Sequence, residues 1–172
     1  MKFRPKLMIV GHGRHGKDTL ADGFRELGWS CKDSSLASAE VFLFDELKDA
    51  MGYPSVEECW ADRHNHRALW YRLIAQYNSE DNCRLMRAIY EANDIYVGIR
   101  SRRELMSGLS QGLIDLVIWV ERPGHDPESD SSMTIRRADS DIVVYNDGTE
   151  EELKKKARRL ATVFRRSFSG VS

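Results

Sequence analysis

The run Gly11-His12-Gly13-Arg14-His15-Gly16-Lys17-Asp18-Thr19 constrains this chain more than any other stretch. It satisfies the pattern GxxxxGK, with Asp-Thr where a Ser or Thr usually follows the lysine. Leu7-Met8-Ile9-Val10 precedes it, a short apolar run of the kind buried on both faces of a parallel sheet. Leu20, Phe24 and Leu27 follow at helical spacing, and Gly28 supplies a stop. A glycine-rich turn between a strand and a helix lets successive backbone N–H groups converge on an anion, so all nine residues are candidate ligands of a nucleoside triphosphate. Lys17 is expected to reach the β- and γ-phosphates, and the Thr19 hydroxyl a phosphate or a magnesium-bound water. Asp18 stands where a metal-binding hydroxyl is usual, and is expected to act through water or to stay outside the ligand sphere. Two readings stand for Arg14: a solvated arginine, or one that balances charge on a transferred phosphoryl group in cis. His12 and His15 are expected to be loop donors or solvated side chains without a catalytic role.

Further apolar runs lie at Ile95-Tyr96-Val97-Gly98-Ile99 and Leu116-Val117-Ile118-Trp119-Val120, with a helical pattern near 103–109 between them. Strand, helix, strand in that order implies right-handed parallel crossovers. Residues 29–35 read as another strand and 141–145 as the last. Val41, Phe42, Phe44, Leu47 and Ala50 recur with helical period, and further helices are expected over 56–77 and 81–92. These make an all-helical block at about 38–92. Residues 122–140 carry Pro, Gly, Asp and Ser with little periodicity and read as a mobile, lid-like loop. Thr149 and Glu152 form a capping box for a final helix running to about 168. The expected architecture is a three-layer α/β sandwich, a parallel sheet of about five strands with helices on both faces. At 172 residues it should form one domain, 1–172.

Lys+Arg number 26 against Asp+Glu 27, so any polyanion site must be a local patch. Cys31, Cys59 and Cys83 show no CxxC or metal-ligand spacing and suit a reducing cytoplasm. The 7–10 run is too short for a signal or membrane segment, so no membrane partner is expected.

With these residues in place, the sequence resembles the bacteriophage deoxynucleoside monophosphate kinases, and still more their phage relatives, the 5-hydroxymethyluracil DNA kinases, grouped with thymidylate kinases. The likeness spans nearly the whole chain. The GKDT loop carries it first, with Arg14 where many thymidylate kinases have a loop arginine. Gly98-Ile99-Arg100-Ser101-Arg102-Arg103-Glu104 stands where the monophosphate kinases have Asp-x-Arg-x-x-x-Glu, keeping Arg100 and Glu104 and losing the aspartate. Asn146-Asp147-Gly148-Thr149 resembles the family's turn near the nucleotide base, making Asn146 and Gly148 candidate nucleotide ligands. The resemblance implies a P-loop kinase fold, ATP and Mg2+ as cofactors, and a cytoplasmic location, that of the host if phage-encoded. It implies transfer to the 5-hydroxymethyl group of 5-hydroxymethyluracil in phage DNA, a step in thymidine hypermodification. The alternative acceptor is a free deoxynucleoside monophosphate. The short lid favours DNA, because it encloses a mononucleotide poorly and leaves space for a base presented on a polymer.

An alcohol acceptor must lose a proton during attack, whereas a nucleotide phosphate is already anionic. Asp33, at the expected end of the second strand, has two readings: general base, or cap of the Ser34-Ser35 turn. On one helix, Arg63, His66, Arg67 and Trp70 would share a face. That face is either an acceptor surface, with the arginines on backbone phosphates and Trp70 or Tyr71 stacking a base, or an amphipathic face with its tryptophans in the core. Arg100, Arg103 and Arg136 complete the acceptor candidates. A P-loop NTPase or nucleotide-binding protein that acts without transfer is a further alternative. Against it, no apolar strand ends in the aspartate of switch-type NTPases, since Val97 leads to Gly98 and Val120 to Glu121.

Overall fold

A computed structural model describes residues 4–127 and 132–168. Among the described residues five parallel strands, β1 (Leu7–Val10), β2 (Cys31–Asp33), β3 (Ile95–Val97), β4 (Leu116–Glu121) and β5 (Ile142–Tyr145), form one sheet in the order β2-β3-β1-β4-β5. Leu7 of β1 pairs with Ile95 on one side and Leu116 on the other. This central position explains the unbroken apolar run, since all four β1 residues are fully buried.

The helices are α1 (Lys17–Arg25), α2 (Ser34–Ser38), α3 (Phe44–Met51), α4 (Val56–Asp62), α5 (Arg67–Tyr77), α6 (Arg84–Ala92), α7 (Arg102–Ser110) and α8 (Glu150–Phe168). Helices α1 and α8 cover one face of the sheet, where Leu20, Phe24, Leu153 and Ala157 pack on Leu7 and Ile9. Helices α6 and α7 cover the other, where Leu85, Ile89 and Leu105 pack with Met8 and Val10. A third apolar cluster, with Ala39, Phe42, Leu43, Leu47, Cys59 and Trp70, lies inside the helical block. The wide turn Ala39–Leu43 between α2 and α3 buries Phe42 and Leu43 there and leaves Val41 exposed. No helix among the described residues is long and apolar enough to cross a membrane.

Three local outcomes shape the site. The capping box at α8 closes fully, with Glu152 N donating to Thr149 Oγ1 (3.2 Å) and Thr149 N to Glu152 Oε2 (2.7 Å). The helix expected over 56–77 breaks instead. Asp62 accepts bonds from Tyr53 Oη and Asn65 Nδ2, both at 2.6 Å, and pairs with His66 Nε2 at 3.0 Å, and these polar contacts compete with helix continuation. Arg63 therefore opens a short 3-10 turn while Arg67 begins α5, so the two do not share one helical face. The described parts of the expected loop at 122–140 are also held in place. Thr134 N donates to Arg100 O (2.9 Å), Ile135 is buried, and Arg137–Asp139 forms a 3-10 turn; residues 128–131 of that loop lie outside the described residues.

Candidate active site

Strand order reverses at β1, which lies between β3 and β4, and crevices at such switch points receive ligands in open α/β sheets. The glycine-rich loop leaves β1 at this point. Gly16 adopts φ +99°, and a methyl group on it would come within 2.6 Å of Asn146 Nδ2 and 2.9 Å of Leu153 Cδ2, so only glycine fits. No side chain caps α1 at Gly16, which leaves its first N–H groups for an anion. Lys17 Nζ arches back to donate to His12 O at 2.7 Å. A cleft of about 320 Å³ opens beside the loop. Arg14, Gly16, Lys17, Asp18 and Thr19 border one side, and Arg122, Asn146, Gly148, Glu150 and Leu153 the other. Asn146 and Gly148 thus share a cleft with the loop, and Asn146 Nδ2 donates to His15 O at 3.1 Å.

Of the other loop residues, Gly11 is buried where β1 ends, and Gly13 is half-buried. Of the two readings for His15, the solvated one fails. The residue is fully buried, with Nδ1 accepting from Arg122 N and Nε2 facing His125 O, each at 3.1 Å. These partners assign the proton to Nε2 and fasten the segment after β4 to the loop, leaving only the His15 backbone for phosphates. The His12 ring stands edge-on to Trp119 (5.2 Å) and His15 (5.4 Å). Burial, aided by the neighbouring His15 and Lys17, holds the His12 pKa below its ordinary value. Arg14 is the single non-glycine residue with positive φ (62°) among the described residues. That conformation costs about 1 kcal/mol, a strain characteristic of ligand clamps, and leaves an exposed guanidinium on the cleft.

An acidic group lies beside Lys17. Asp33 caps α2, with Oδ1 accepting from Ser35 N (2.9 Å), Leu36 N (3.0 Å) and Ser35 Oγ (2.6 Å). Only one oxygen is used this way. A methyl group on Gly98, at φ +92°, would lie 3.6 Å from Asp33 Oδ2 and 4.0 Å from Lys17 Cε. Asp33 Oδ2, the Lys17 stem and the bare Gly98 backbone therefore converge on one space. Burial of the Asp18 carboxyl, followed by the nearby Asp33 charge, raises the Asp18 pKa, with Lys17 opposing. Arg63 closes this side, its guanidinium 4.1 Å over the Trp60 ring and Nη1 donating to Trp60 O at 2.8 Å. Burial lowers the Arg63 pKa, while Asp33 and Asp18 act on it as counter-charges. Trp60 Nε1 donates to Ser35 Oγ at 2.9 Å, completing a chain of hydrogen bonds from Trp60 through Ser35 to Asp33.

Among the described residues no three His, Cys, Asp or Glu side chains cluster to hold a metal by themselves. Thr19 and Asp18 both border the cleft beside the loop, within reach of a Mg2+ brought in with the phosphates, Asp18 through water. The neighbouring Asp18 and Asp33 charges favour such a cation.

The remaining acceptor candidates separate. Trp70 is a correction: at 4% exposure it belongs to the core of the helical block and cannot stack a base, whereas Tyr71 is 59% exposed. Arg67 is exposed, and its charge acts on Arg63. Arg100 is exposed past β3, and its charge acts on His12 beside the loop. Arg103 is also a correction, because it opens onto a separate groove along α7 with Met106 and Ser107 rather than onto the loop. Arg136 is exposed at the 3-10 turn, where its backbone N donates to Asp139 Oδ2 at 2.9 Å.

Glu104, in the first turn of α7, is half-buried, and its Oε1 accepts from Asn78 Nδ2 at 3.4 Å. Burial pushes its pKa from 4.5 up to about 7. Between those two values the folded chain keeps a proton that the unfolded chain has lost, so stability falls as pH rises through the interval and stays low above it. The whole penalty above pH 7 is about 3 kcal/mol. Glu104→Gln should remove it, so denaturant unfolding should show little gain at pH 4.5 and a gain approaching that size at pH 8. Equal gains at both values would contradict the assignment.

The strand order and the loop at its switch point define a P-loop kinase fold. No protein-family model matches the chain. No curated protein matches its sequence either. Among solved structures, a dephospho-CoA kinase from Campylobacter jejuni superposes with a TM-score of 0.53 at 10% identity, covering 94% of this chain and 97% of its own. A gluconokinase from Sinorhizobium meliloti aligns with a TM-score of 0.49 at 13% identity over 100% of both chains. For a shikimate kinase from Aquifex aeolicus the values are 0.46 and 13%, over 95% and 99%.

Proposed function

We propose that this chain is an ATP- and Mg2+-dependent kinase that phosphorylates the 5-hydroxymethyl group of 5-hydroxymethyluracil in DNA. Asp33 carries the proposal: one oxygen is locked by the α2 cap and the other turns toward Lys17 and Gly98. A carboxylate fixed beside the phosphate loop is what an alcohol acceptor needs and a phosphate acceptor does not. The resemblance to the phage DNA kinases supplies the identity of that alcohol, and the fold shared with a dephospho-CoA kinase supports phosphoryl transfer.

In the proposed reaction Asp33 Oδ2 takes the hydroxyl proton as the hydroxymethyl oxygen bonds to the γ-phosphorus, and the bond from that phosphorus to the ADP oxygen breaks. Lys17 and the loop N–H groups hold the β- and γ-phosphate charge, and Arg14 balances the charge spread over the moving group. A bound Mg2+, reached by Thr19 and, through water, by Asp18, would offset the charge of the leaving phosphates. Arg63, beside Asp33, and the exposed Arg67 would contact phosphates of the acceptor strand.

A free deoxynucleoside monophosphate is the second reading, favoured by the partly desolvated Arg63 cation on the acceptor side. Incubation with γ-labelled ATP and hydroxymethyluracil DNA, unmodified DNA or each deoxynucleoside monophosphate separates the two. Label is expected on hydroxymethyluracil DNA alone. Arg63→Ala with Arg67→Ala should weaken DNA binding and reduce the slope of log K against log salt by about two. Label on free monophosphates alone would overturn the acceptor, and hydrolysis without transfer would overturn the kinase.

A further inference from the structure

We propose that Glu104 recognises the acceptor base, its Oε2 accepting a hydrogen bond from a ring N–H flanked by carbonyls, as at N3 of a uracil. This rests on the nucleotide- or nucleic-acid-kinase function proposed above and adds the group that reads the base.

The helix start is the first indication. Ser101-Arg102-Arg103-Glu104 has the capping-box pattern, and Ser101 Oγ accepts from Glu104 N at 3.3 Å. The same pattern closes reciprocally at Thr149 and Glu152, yet at α7 the carboxylate turns away from Ser101 N to Asn78. Glu104 thus leaves a solvated capping position for a half-buried one, at a cost in desolvation of its charge.

Asn78 fixes where the carboxyl goes. It is 3% exposed, its Oδ1 accepts from Leu85 N at 3.3 Å, and its Nδ2 holds Glu104 Oε1. Among the described residues Oε2 has no hydrogen-bond partner, so the carboxyl presents one fixed acceptor atom. Its surroundings place it near the proposed chemistry. Both Glu104 and Asp33 act electrostatically on the buried Tyr96 hydroxyl, which lies 3.2 Å from Ser34 Oγ. Ser34 follows Asp33 in sequence, so the Tyr96 hydroxyl that it meets lies within electrostatic reach of both the proposed base and Glu104. A carboxylate there repels phosphate and attracts an N–H donor, and a pyrimidine edge supplies one. The near-neutral pKa lets Glu104 ionise at little cost when such a donor arrives.

Steady-state kinetics on a hydroxymethyluracil oligonucleotide and its N3-methyl counterpart test the assignment, using wild type, Glu104→Gln and Glu104→Ala. Wild type should discriminate against N3-methylation by about tenfold or more in acceptor KM. Glu104→Ala should raise acceptor KM by a similar factor, abolish that discrimination and leave the KM for ATP within twofold. Glu104→Gln, isosteric and uncharged, reports the same quantities should the alanine variant fail to fold. If label goes to free monophosphates, thymidine monophosphate and its N3-methyl form replace the oligonucleotides. Unchanged acceptor KM in a folded variant, or N3 discrimination that survives it, would overturn the assignment while leaving the kinase intact. Absence of transfer to any pyrimidine acceptor by wild type would overturn both.

Discussion

Lys17→Ala should abolish phosphoryl transfer, lowering turnover by about a thousandfold or more, as expected when a cation on the transferring group is removed. The Lys17 ammonium is 2.7 Å from the His12 carbonyl and can exchange that bond for phosphate oxygens without moving the loop. Its removal has a second effect on the acidic side. Lys17 opposes the upward pKa shift that burial and Asp33 impose on Asp18, so the variant should raise the Asp18 pKa further. Turnover at saturating ATP, with circular dichroism to verify the fold, is the measurement. Near wild-type turnover in a folded variant would remove the loop from the mechanism.

The elements legible in the sequence are those whose signals are local. Leu7 to Val10 read as a doubly buried strand because parallel strands need apolar residues on both faces, and GxxxxGK read as a phosphate loop because its glycines and helix start are contiguous. Thr149 and Glu152 announced the start of α8 three residues apart. The acceptor side resisted the same treatment because its contacts join distant residues. Trp60, Ser35 and Asp33 form one hydrogen-bonded chain whose Trp60–Ser35 bond joins residues 25 positions apart, and no periodic pattern encodes it. Periodicity also misled at 56–77, where Asp62 collects side-chain bonds that end α4. Trp70 then faces the separate core of the helical block instead of sharing a face with Arg63. His15 read as a loop donor or a solvated side chain, and its buried ring bonds to Arg122 and His125, more than a hundred residues away, which no local pattern announces. Glu104 was visible as a retained motif residue, but its turn toward Asn78 was not, because a capping-box pattern gives no sign of when it will be left open.

Asp33→Asn should separate two jobs that the wild-type residue performs with different oxygens. Asn is as good an N-cap as Asp, and its side-chain oxygen can accept from Ser35 N and Leu36 N as Asp33 Oδ1 does, so the start of α2 should persist. Asp33→Ala, in contrast, loses the cap and should cost about 1 kcal/mol of stability. The second oxygen is where the asparagine fails. In place of Oδ2 it presents an amide that cannot take a proton from the acceptor hydroxyl, so turnover should fall by roughly a hundredfold or more. ATP affinity should barely change, because Lys17 and the loop amides remain. On a phosphate acceptor no base is required, and the same substitution should appear mainly as weaker acceptor binding. Turnover of Asp33→Asn on hydroxymethyluracil DNA with both substrates saturating decides between them. A rate within a few-fold of wild type would eliminate Asp33 as the base, and label confined to free monophosphates would eliminate the DNA acceptor with it.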